Sequence, residues 1–280
     1  MSLELLTISF NSNNADKDFE RSLKHSGFAV IKDHEISAKL INEVYAEWEI
    51  FFQNPIKNNF IFDAIKQDGF FPYLTENAKG SSTKDLKEFF HVFVWGRFPE
   101  SLGPSTLELF HALTDMGGTL LSWLQNCTPD HIQNILSTPL KGMIKDSGSN
   151  LLRIIHYPPI TGNEKPNSIR AAAHEDINLL TMLVSGTKPG LQVLDLNNNW
   201  HDVSCDPNTI IVNSGDMLKM ATNGYYPSTT HRVINPDDAI NKSRYSMPLF
   251  LHPKDNVILN SDYTAGSYLE ERLEEIGLIQ

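Results

Sequence analysis

The segment "RAAAHEDINLLTMLVSG", from Arg170 to Gly186, places one histidine and two carboxylates directly before an apolar run. In a β-strand, residues two apart project from the same face. His174 and Asp176 therefore present an imidazole and a carboxylate to one point, whereas Glu175 faces away. A polar turn also accounts for such a pair, so a metal site requires a third ligand.

That third ligand is predicted to be His231, which begins another predicted strand in "STTHRVIN". In a closed β-sandwich this strand can return beside the first. Two histidines and one carboxylate form the facial triad of non-haem Fe(II) sites, with positions left open for substrate and dioxygen. A catalytic zinc site on the same ligands stays open. The zinc-protease helix motif is excluded, because it needs a histidine four residues after the first and residue 178 is Asn.

The pattern around these ligands changes near residue 150. Short apolar runs such as "LLRIIHYPP", "TIIVNSGD" and "RYSMPLFLH" then alternate with turn residues, which predicts an antiparallel sandwich or barrel. Before it, "SAKLINEVYAEWEIFFQ" has helical spacing of apolar residues. The predicted fold is mainly β with flanking helices in a single domain, 1–280: a mostly helical part (1–149), a β-core (150–262) and a C-terminal helix (263–280).

The stretch "QDGFFPYLTENAKGSSTKDLKEFFHVFVWG", residues 67–96, shows little periodicity before Lys84 and is rich in Gly, Ser, Asn and aromatics. It predicts a long ordered loop. Long loops inside compact domains often act as lids, and Phe70–Tyr73 is the candidate. The alternative is a surface excursion held by its aromatic side chains.

The composition of the chain indicates which kinds of binding partner it disfavours. The chain has 280 residues and a net charge of −11, which disfavours nucleic acid and anionic membrane surfaces. No segment approaches the roughly 18 uninterrupted apolar residues of a membrane helix. The two cysteines, Cys127 and Cys205, form no CxxC pair, and the N-terminal residues show no signal-peptide pattern. We therefore expect a cytoplasmic protein with a small-molecule substrate; the sequence does not indicate an oligomeric state.

A second constellation lies on two other predicted strands. Arg244 and Ser246 share one face, and a guanidinium with a hydroxyl suits a carboxylate held in one orientation. The alternative is an internal salt bridge. Tyr157 could donate a hydrogen bond to the same carboxylate, or be a half-buried tyrosine beside a proline turn. Phe250 has the parity of Ser246 and is predicted to line the interior.

Two further residues share faces with the predicted ligands, Asn178 and Arg170, and are candidates for substrate contacts. Arg170 either receives a substrate carboxylate or pairs with an acidic neighbour at the barrel rim. We favour the pair.

These motifs occur together in an order that resembles the isopenicillin N synthase-like branch of the Fe(II)/2-oxoglutarate-dependent dioxygenases. "SLKHSGFAVIKDHEIS", "DLKEFFHV", "LLRIIHYPP", "HEDINLLTMLVSGTKPGLQVLD", "IIVNSGDMLKMATNGYYPSTTHRVIN" and "RYSMPLFL" carry the resemblance. It implies a double-stranded β-helix (jelly-roll) core, iron bound by His174, Asp176 and His231, and a carboxylate held by Arg244 and Ser246. One departure is Ile155, where many 2-oxoglutarate-using members have Asn.

The resemblance implies an enzyme that uses Fe(II), dioxygen and 2-oxoglutarate. Decarboxylation of 2-oxoglutarate would be coupled to hydroxylation, desaturation or cyclisation of a small organic substrate. Because of Ile155, an iron oxidase of the isopenicillin N synthase type, or one that uses ascorbate, remains the alternative. A non-catalytic binding protein on the same fold would be expected to lose one of the ligands, and all are present.

Overall fold

The computed structural model describes residues 5–76, 83–237 and 241–279. The strands are β1 (Thr7–Ser9), β2 (Phe28–Lys32), β3 (Gly69–Phe71), β4 (Glu88–Val92), β5 (Leu151–Tyr157), β6 (Ala171–His174), β7 (Leu180–Val184), β8 (Leu191–Leu194), β9 (Trp200–Asp202), β10 (Ile210–Ser214), β11 (His231–Val233) and β12 (Arg244–Leu251). The helices are α1 (Ala15–Ser26), α2 (Ala38–Gln53), α3 (Ser105–Cys127), α4 (Asp130–Gln133), α5 (Leu140–Ile144), α6 (Asp216–Ala221) and α7 (Ala265–Glu275), with a 3-10 helix at Pro55–Phe60.

The strands form two sheets. The larger has the order β1-β2-β10-β7-β12-β5-β4-β3, and the smaller has the order β6-β11-β8-β9. Apart from the parallel pair β1 and β2, the strand pairs of both sheets are antiparallel. The predicted jelly-roll core with flanking helices is confirmed.

Because side chains alternate along a strand, the larger sheet packs against a different hydrophobic core on each of its two faces. On β12, Tyr245, Met247, Leu249 and Leu251 belong to the large core that packs against the helices. Arg244 and Ser246, of the opposite parity, are buried as well. The opposite face of the sheet carries a smaller core that includes Tyr157 of β5 and Val193 of the small sheet. A strand buried on both faces reads as a nearly continuous apolar run, as "RYSMPLFL" does.

Two helices follow their sequence signals closely. α1 ends before Gly27, which adopts a left-handed conformation with φ 70° and donates its N–H to the carbonyl of Leu23. Ser37 caps α2 by accepting the N–H of Lys39 at 3.2 Å. At the other end of the chain, α7 forms within the range predicted for the C-terminal helix.

The predicted long loop at residues 67–96 is wrong in part. β3 and β4 lie inside it and pair with each other, so that Phe70 stands opposite Phe90, and β4 pairs in turn with β5. Phe70 and Phe71 are buried and are not a mobile lid. Their strand character was hidden because both faces are covered and the apolar residues do not alternate. Residues 77–82 of this stretch lie outside the described residues.

Among the described residues, no helix combines the length and the apolar character that crossing a bilayer requires.

Candidate active site

Pairing of β6 with β11 brings the two predicted histidine ligands together, because His174 and His231 are directly opposed in the small sheet. Asp176 follows β6 by two residues. Its Oδ1 lies 3.8 Å from Nε2 of His174 and 3.8 Å from Nε2 of His231. One ligand atom from each of the three side chains lies within 4.8 Å of the others, close enough for one cation to contact all three.

Backbone carbonyls hold both imidazoles in the required orientation. Nδ1 of His174 is 2.8 Å from the carbonyl oxygen of Ala172, and Nδ1 of His231 is 3.1 Å from that of Thr229. Each Nδ1 therefore carries the proton and donates it, which leaves the Nε2 lone pair free for a metal. This is the tautomer that a metal ligand needs.

The carboxylate of Asp176 is held in the same manner. Its Oδ2 accepts hydrogen bonds from Thr181 Oγ1 at 2.5 Å and from Asn213 Nδ2 at 2.7 Å, while Oδ1 faces the histidines. The backbone around it is fixed by the loop after β10: Asp216 N–H donates to the Asp176 carbonyl at 2.8 Å. A Cβ on Gly215 would come within 2.8 Å of that carbonyl, so only glycine fits there.

Electrostatics favour a neutral His174 and an ionised Asp176. Burial, with the neighbouring His231, lowers the pKa of His174 to about 4. Burial alone would raise the pKa of Asp176, but the two imidazoles and its hydrogen bonds outweigh burial, so that this pKa is lowered. The donor set, two imidazoles and one carboxylate, fits a non-haem Fe(II) ion.

The predicted carboxylate-binding residues are also buried together. Arg244 and Tyr157 are directly opposed on β12 and β5, and Ser246 is opposed to Ile155. The guanidinium carbon of Arg244 lies 5.1 Å from the ring centre of Tyr157. Arg170 approaches the same ring at 6.0 Å. Neither arginine has a carboxylate within salt-bridge distance among the described residues, so the acidic partner expected for Arg170 is absent there.

Next to the candidate ligand cluster lies a cavity of about 510 Å³. Its lining includes His174 and Asp176, the predicted residues Asn178 and Phe250, and apolar side chains of the C-terminal segment. The latter are Leu269, Leu273, Ile276 and Leu278. α7 is held in place by a hydrogen bond from Tyr268 to the carboxylate of Asp216 at 2.8 Å. The size of the cavity is that of a small-molecule site.

One side of the cavity is a charged cluster, which we call the polar wall: Glu76, Asp85, Lys87, His91 and Arg153. Lys87 Nζ lies 2.7 Å from Glu76 and 2.9 Å from Asp85, and Arg153 Nη1 lies 3.3 Å from Glu76. Arg153 Nε donates to His91 Nε2 at 3.0 Å. Two cations thus face two anions, with His91 neutral because burial and the charge of Arg153 hold its pKa well below its usual value.

The remaining predicted residues occupy distinct places. Phe250 lines the cavity and lies 5.5 Å from the guanidinium carbon of Arg153. Asn178 is buried and its amide nitrogen donates to the carbonyl of Leu180 at 2.6 Å. Glu175 is exposed, accepts a hydrogen bond from Thr230, and is not part of the ligand cluster. Arg170 is not among the residues that line the cavity.

Comparison with known proteins agrees with this geometry. Residues 148–253 match the 2OG-Fe(II) oxygenase superfamily, and residues 5–104 match the N-terminal region described as non-haem dioxygenase in morphine synthesis. A solved structure from Shewanella oneidensis, assigned to the oxygenases, is 46% identical with a TM-score of 0.88 and covers 100% of both chains. The chain belongs to the 2OG-Fe(II) oxygenase superfamily.

Two further proteins are similar to this chain. A 2-oxoglutarate-dependent dioxygenase of Aspergillus rugulosus is 25% identical over 92% of this chain and 90% of its own length. A Neurospora crassa protein, T7H, solved with alpha-KG and thymine, shares the fold at 20% identity, with a TM-score of 0.80 and 96% coverage of both chains. As a 2OG-Fe(II) oxygenase, this protein is an oxidoreductase that uses Fe(II), 2-oxoglutarate and dioxygen on a small molecule.

Several residues of this oxygenase site were missed at the level of sequence. The side chains that orient Asp176, namely Thr181 and Asn213, lie on β7 and β10, whose sequences "LTMLV" and "IIVNS" gave only strand signals. His252, which lines the cavity and whose pKa burial lowers to about 4, follows the last strand. The sequence signal that could have identified them is a polar residue at a position of a flanking strand that faces the barrel interior.

Proposed function

We propose that His174, Asp176 and His231 hold the Fe(II) of this oxygenase. The observation that supports this most directly is the pattern of satisfied and free atoms: both Nδ1 atoms and Asp176 Oδ2 are used by protein hydrogen bonds. Both Nε2 atoms and Oδ1 remain and converge. Bound Fe(II) supplies the activation of dioxygen, with oxidative decarboxylation of 2-oxoglutarate to succinate and CO2 as the source of two electrons.

The chain's own residues orient and enclose that chemistry. In this proposal the distal carboxylate of 2-oxoglutarate binds to Arg244, Ser246 and Tyr157, all of them buried. An arginine fork beside a hydroxyl fixes the direction of a carboxylate. Ile155 removes one hydrogen-bonding side chain that many members have, but it leaves this cluster intact. The oxidase alternative rests on Ile155, whereas the buried Arg244, which has no carboxylate within salt-bridge distance among the described residues, favours a site for the co-substrate.

The substrate is proposed to occupy the cavity between the metal ligands, Phe250 and α7, with Asn178 as part of the wall. Hydroxylation, desaturation and cyclisation are all available to such a site. The polar wall supplies hydrogen-bonding groups without net charge, which favours a polar but not strongly charged substrate. The acidic surface favours small molecules over nucleic acid, and two free thiols suit the cytoplasm.

The metal assignment is tested with a matched pair of carboxylate variants. Asp176→Ala is expected to lose bound iron, because a ligand and a negative charge are removed together, whereas Glu175→Ala keeps it. Iron content after anaerobic loading and desalting is the measurement. Wild-type protein is also expected to develop the visible charge-transfer band of the 2-oxoglutarate chelate. Normal iron content in Asp176→Ala would remove Asp176 from the ligand set.

A further inference from the structure

Two buried guanidiniums approach one phenol in the interior of the barrel. Arg170 precedes β6 and Arg244 begins β12, and the side chains are 1% and 2% exposed, respectively. Their guanidinium carbons lie 6.0 and 5.1 Å from the ring centre of Tyr157. We call these two residues the arginine pair.

Each member of the arginine pair has used only part of its hydrogen-bonding capacity. Arg170 Nη2 donates to the carbonyl of Lys242 at 2.6 Å, and Arg244 Nε donates to that of Lys188 at 2.9 Å. Arg170 Nε and Arg244 Nη1 are fully buried and have no hydrogen-bond partner among residues 5–76, 83–237 and 241–279. Buried N–H groups of charged side chains are rarely left unsatisfied.

The balance of charges around the arginine pair also indicates a bound anion. No described carboxylate lies within salt-bridge distance of either guanidinium, and the pKa of Arg170 is lowered to about 10 by burial and by the charge of Arg244. Two neighbouring buried cations destabilise a fold unless an anion compensates them. A ligand carboxylate that enters beside Tyr157 would supply both the missing charge and acceptors for the unpartnered N–H groups.

We propose that Arg170 acts with Arg244 as a second guanidinium for the distal carboxylate of 2-oxoglutarate. This inference rests on the proposed function and extends it, since Arg170 stands outside the Arg-x-Ser pair. Its backbone leads directly into β6, the strand of His174, so the same short segment connects the carboxylate end of the co-substrate to the metal end. Arg170 is then a co-substrate residue and not a substrate residue.

The test measures co-substrate binding without any need for the primary substrate. Anaerobic Fe(II)-loaded protein is titrated with 2-oxoglutarate, and with 2-oxovalerate, which has the same oxo-acid end but no distal carboxylate. The charge-transfer band reports binding. In Arg170→Met the Kd for 2-oxoglutarate is expected to rise at least 10-fold, whereas that for 2-oxovalerate stays within 2-fold of the wild-type value.

Arg232→Met is the matched control. Arg232 neighbours His231 on β11 but lies over Trp200 at 3.9 Å and bonds Gln192, so its loss removes one positive charge from outside the interior. Both Kd values are expected to stay within 2-fold of wild type. Far-UV circular dichroism checks folding, and if Arg170→Met does not fold, Arg170→Lys replaces it, with the same selective loss expected at a smaller factor.

Two results would overturn the inference. An unchanged Kd for 2-oxoglutarate in a folded Arg170 variant would place Arg170 outside the site. Equal weakening of both oxo acids would show that Arg170 supports the metal end or the architecture instead. Neither result touches the proposed function, which fails separately if wild-type Fe(II) protein gives no band with 2-oxoglutarate; this inference would then fall with it.

Discussion

The polar wall and the arginine pair are both buried groups of charges, yet they are built on opposite principles. In the polar wall, Lys87 and Arg153 are matched by Glu76 and Asp85 at 2.7 to 3.3 Å. In the arginine pair, two cations are buried without an acid among the described residues, and each keeps an unpartnered N–H. The first group is complete within the protein, and the second is complete only with a ligand.

The difference shows how to separate structural charges from functional ones. A balanced buried cluster loses stability when one member is removed, because the partners remain buried and uncompensated. When one member of an unbalanced cluster is removed, the stability of the protein is expected to stay the same or rise, and its affinity for the ligand is expected to fall. Removing a charge from the polar wall should therefore lower the free energy of unfolding. Removing a charge from the arginine pair should instead weaken the binding of 2-oxoglutarate.

The largest effect is expected from Lys87→Met in the polar wall. It leaves Glu76 and Asp85 with Arg153 as their remaining cation, so the free energy of unfolding should fall by about 3–5 kcal/mol. Urea unfolding of the metal-free protein is the measurement. Lys39→Met, on an exposed pair with Glu43 at 3.5 Å, should change it by less than about 0.5 kcal/mol. A loss below about 1 kcal/mol at Lys87 would contradict the balanced-cluster interpretation.

An intermediate effect is expected when the arginine pair receives its anion. At 100 times its Kd, 2-oxoglutarate should raise the free energy of unfolding of the Fe(II) protein by about 2.7 kcal/mol. In Arg244→Met, the same concentration should give less than about half of this gain, because the carboxylate end loses its main partner. Anaerobic thermal unfolding measures both. An equal gain in the variant would mean that the metal end alone binds the co-substrate.

Sequence reasoning predicted which three side chains form the candidate ligand cluster but did not predict the polar wall, for a physical reason. His174 and Asp176 share a strand face by local parity, and Arg244 and Ser246 follow the same rule two strands away. The polar wall depends on register between distant segments: His91 meets Arg153 because β4 pairs with β5. Glu76 lies where the sequence shows little periodicity, so no pattern indicated that its side chain would meet Lys87. Strand alternation also could not test the acidic neighbour expected for Arg170, because alternation predicts the face on which a side chain lies but not which residue it contacts.

The smallest effect is a dependence on acid pH that the polar wall should show and the arginine pair, which contains no carboxylate, should not. Two neighbouring cations, outweighing burial, hold the pKa of Glu76 below its usual value. Its stabilising contribution is therefore present above the unfolded pKa of about 4.3 and is lost as the pH falls through the folded pKa.

The stability difference between wild type and Glu76→Gln should accordingly shrink, on the order of 1 kcal/mol, between pH 6 and pH 3. Urea unfolding across this range measures it, with Glu43→Gln on the exposed side of α2 as the control. A difference that stays constant with pH would mean that Glu76 is not held ionised by its neighbours.

The position of α7 has a consequence for diversification and for protein engineering. The proposed metal ligands come from the small sheet and the segment after β6, whereas much of the apolar lining of the cavity comes from Leu269, Leu273 and Ile276. Substitutions at these three positions can reshape the chamber while leaving the catalytic machinery untouched. A library restricted to this helix and its last turn is therefore a compact way to redirect the oxygenase towards new molecules.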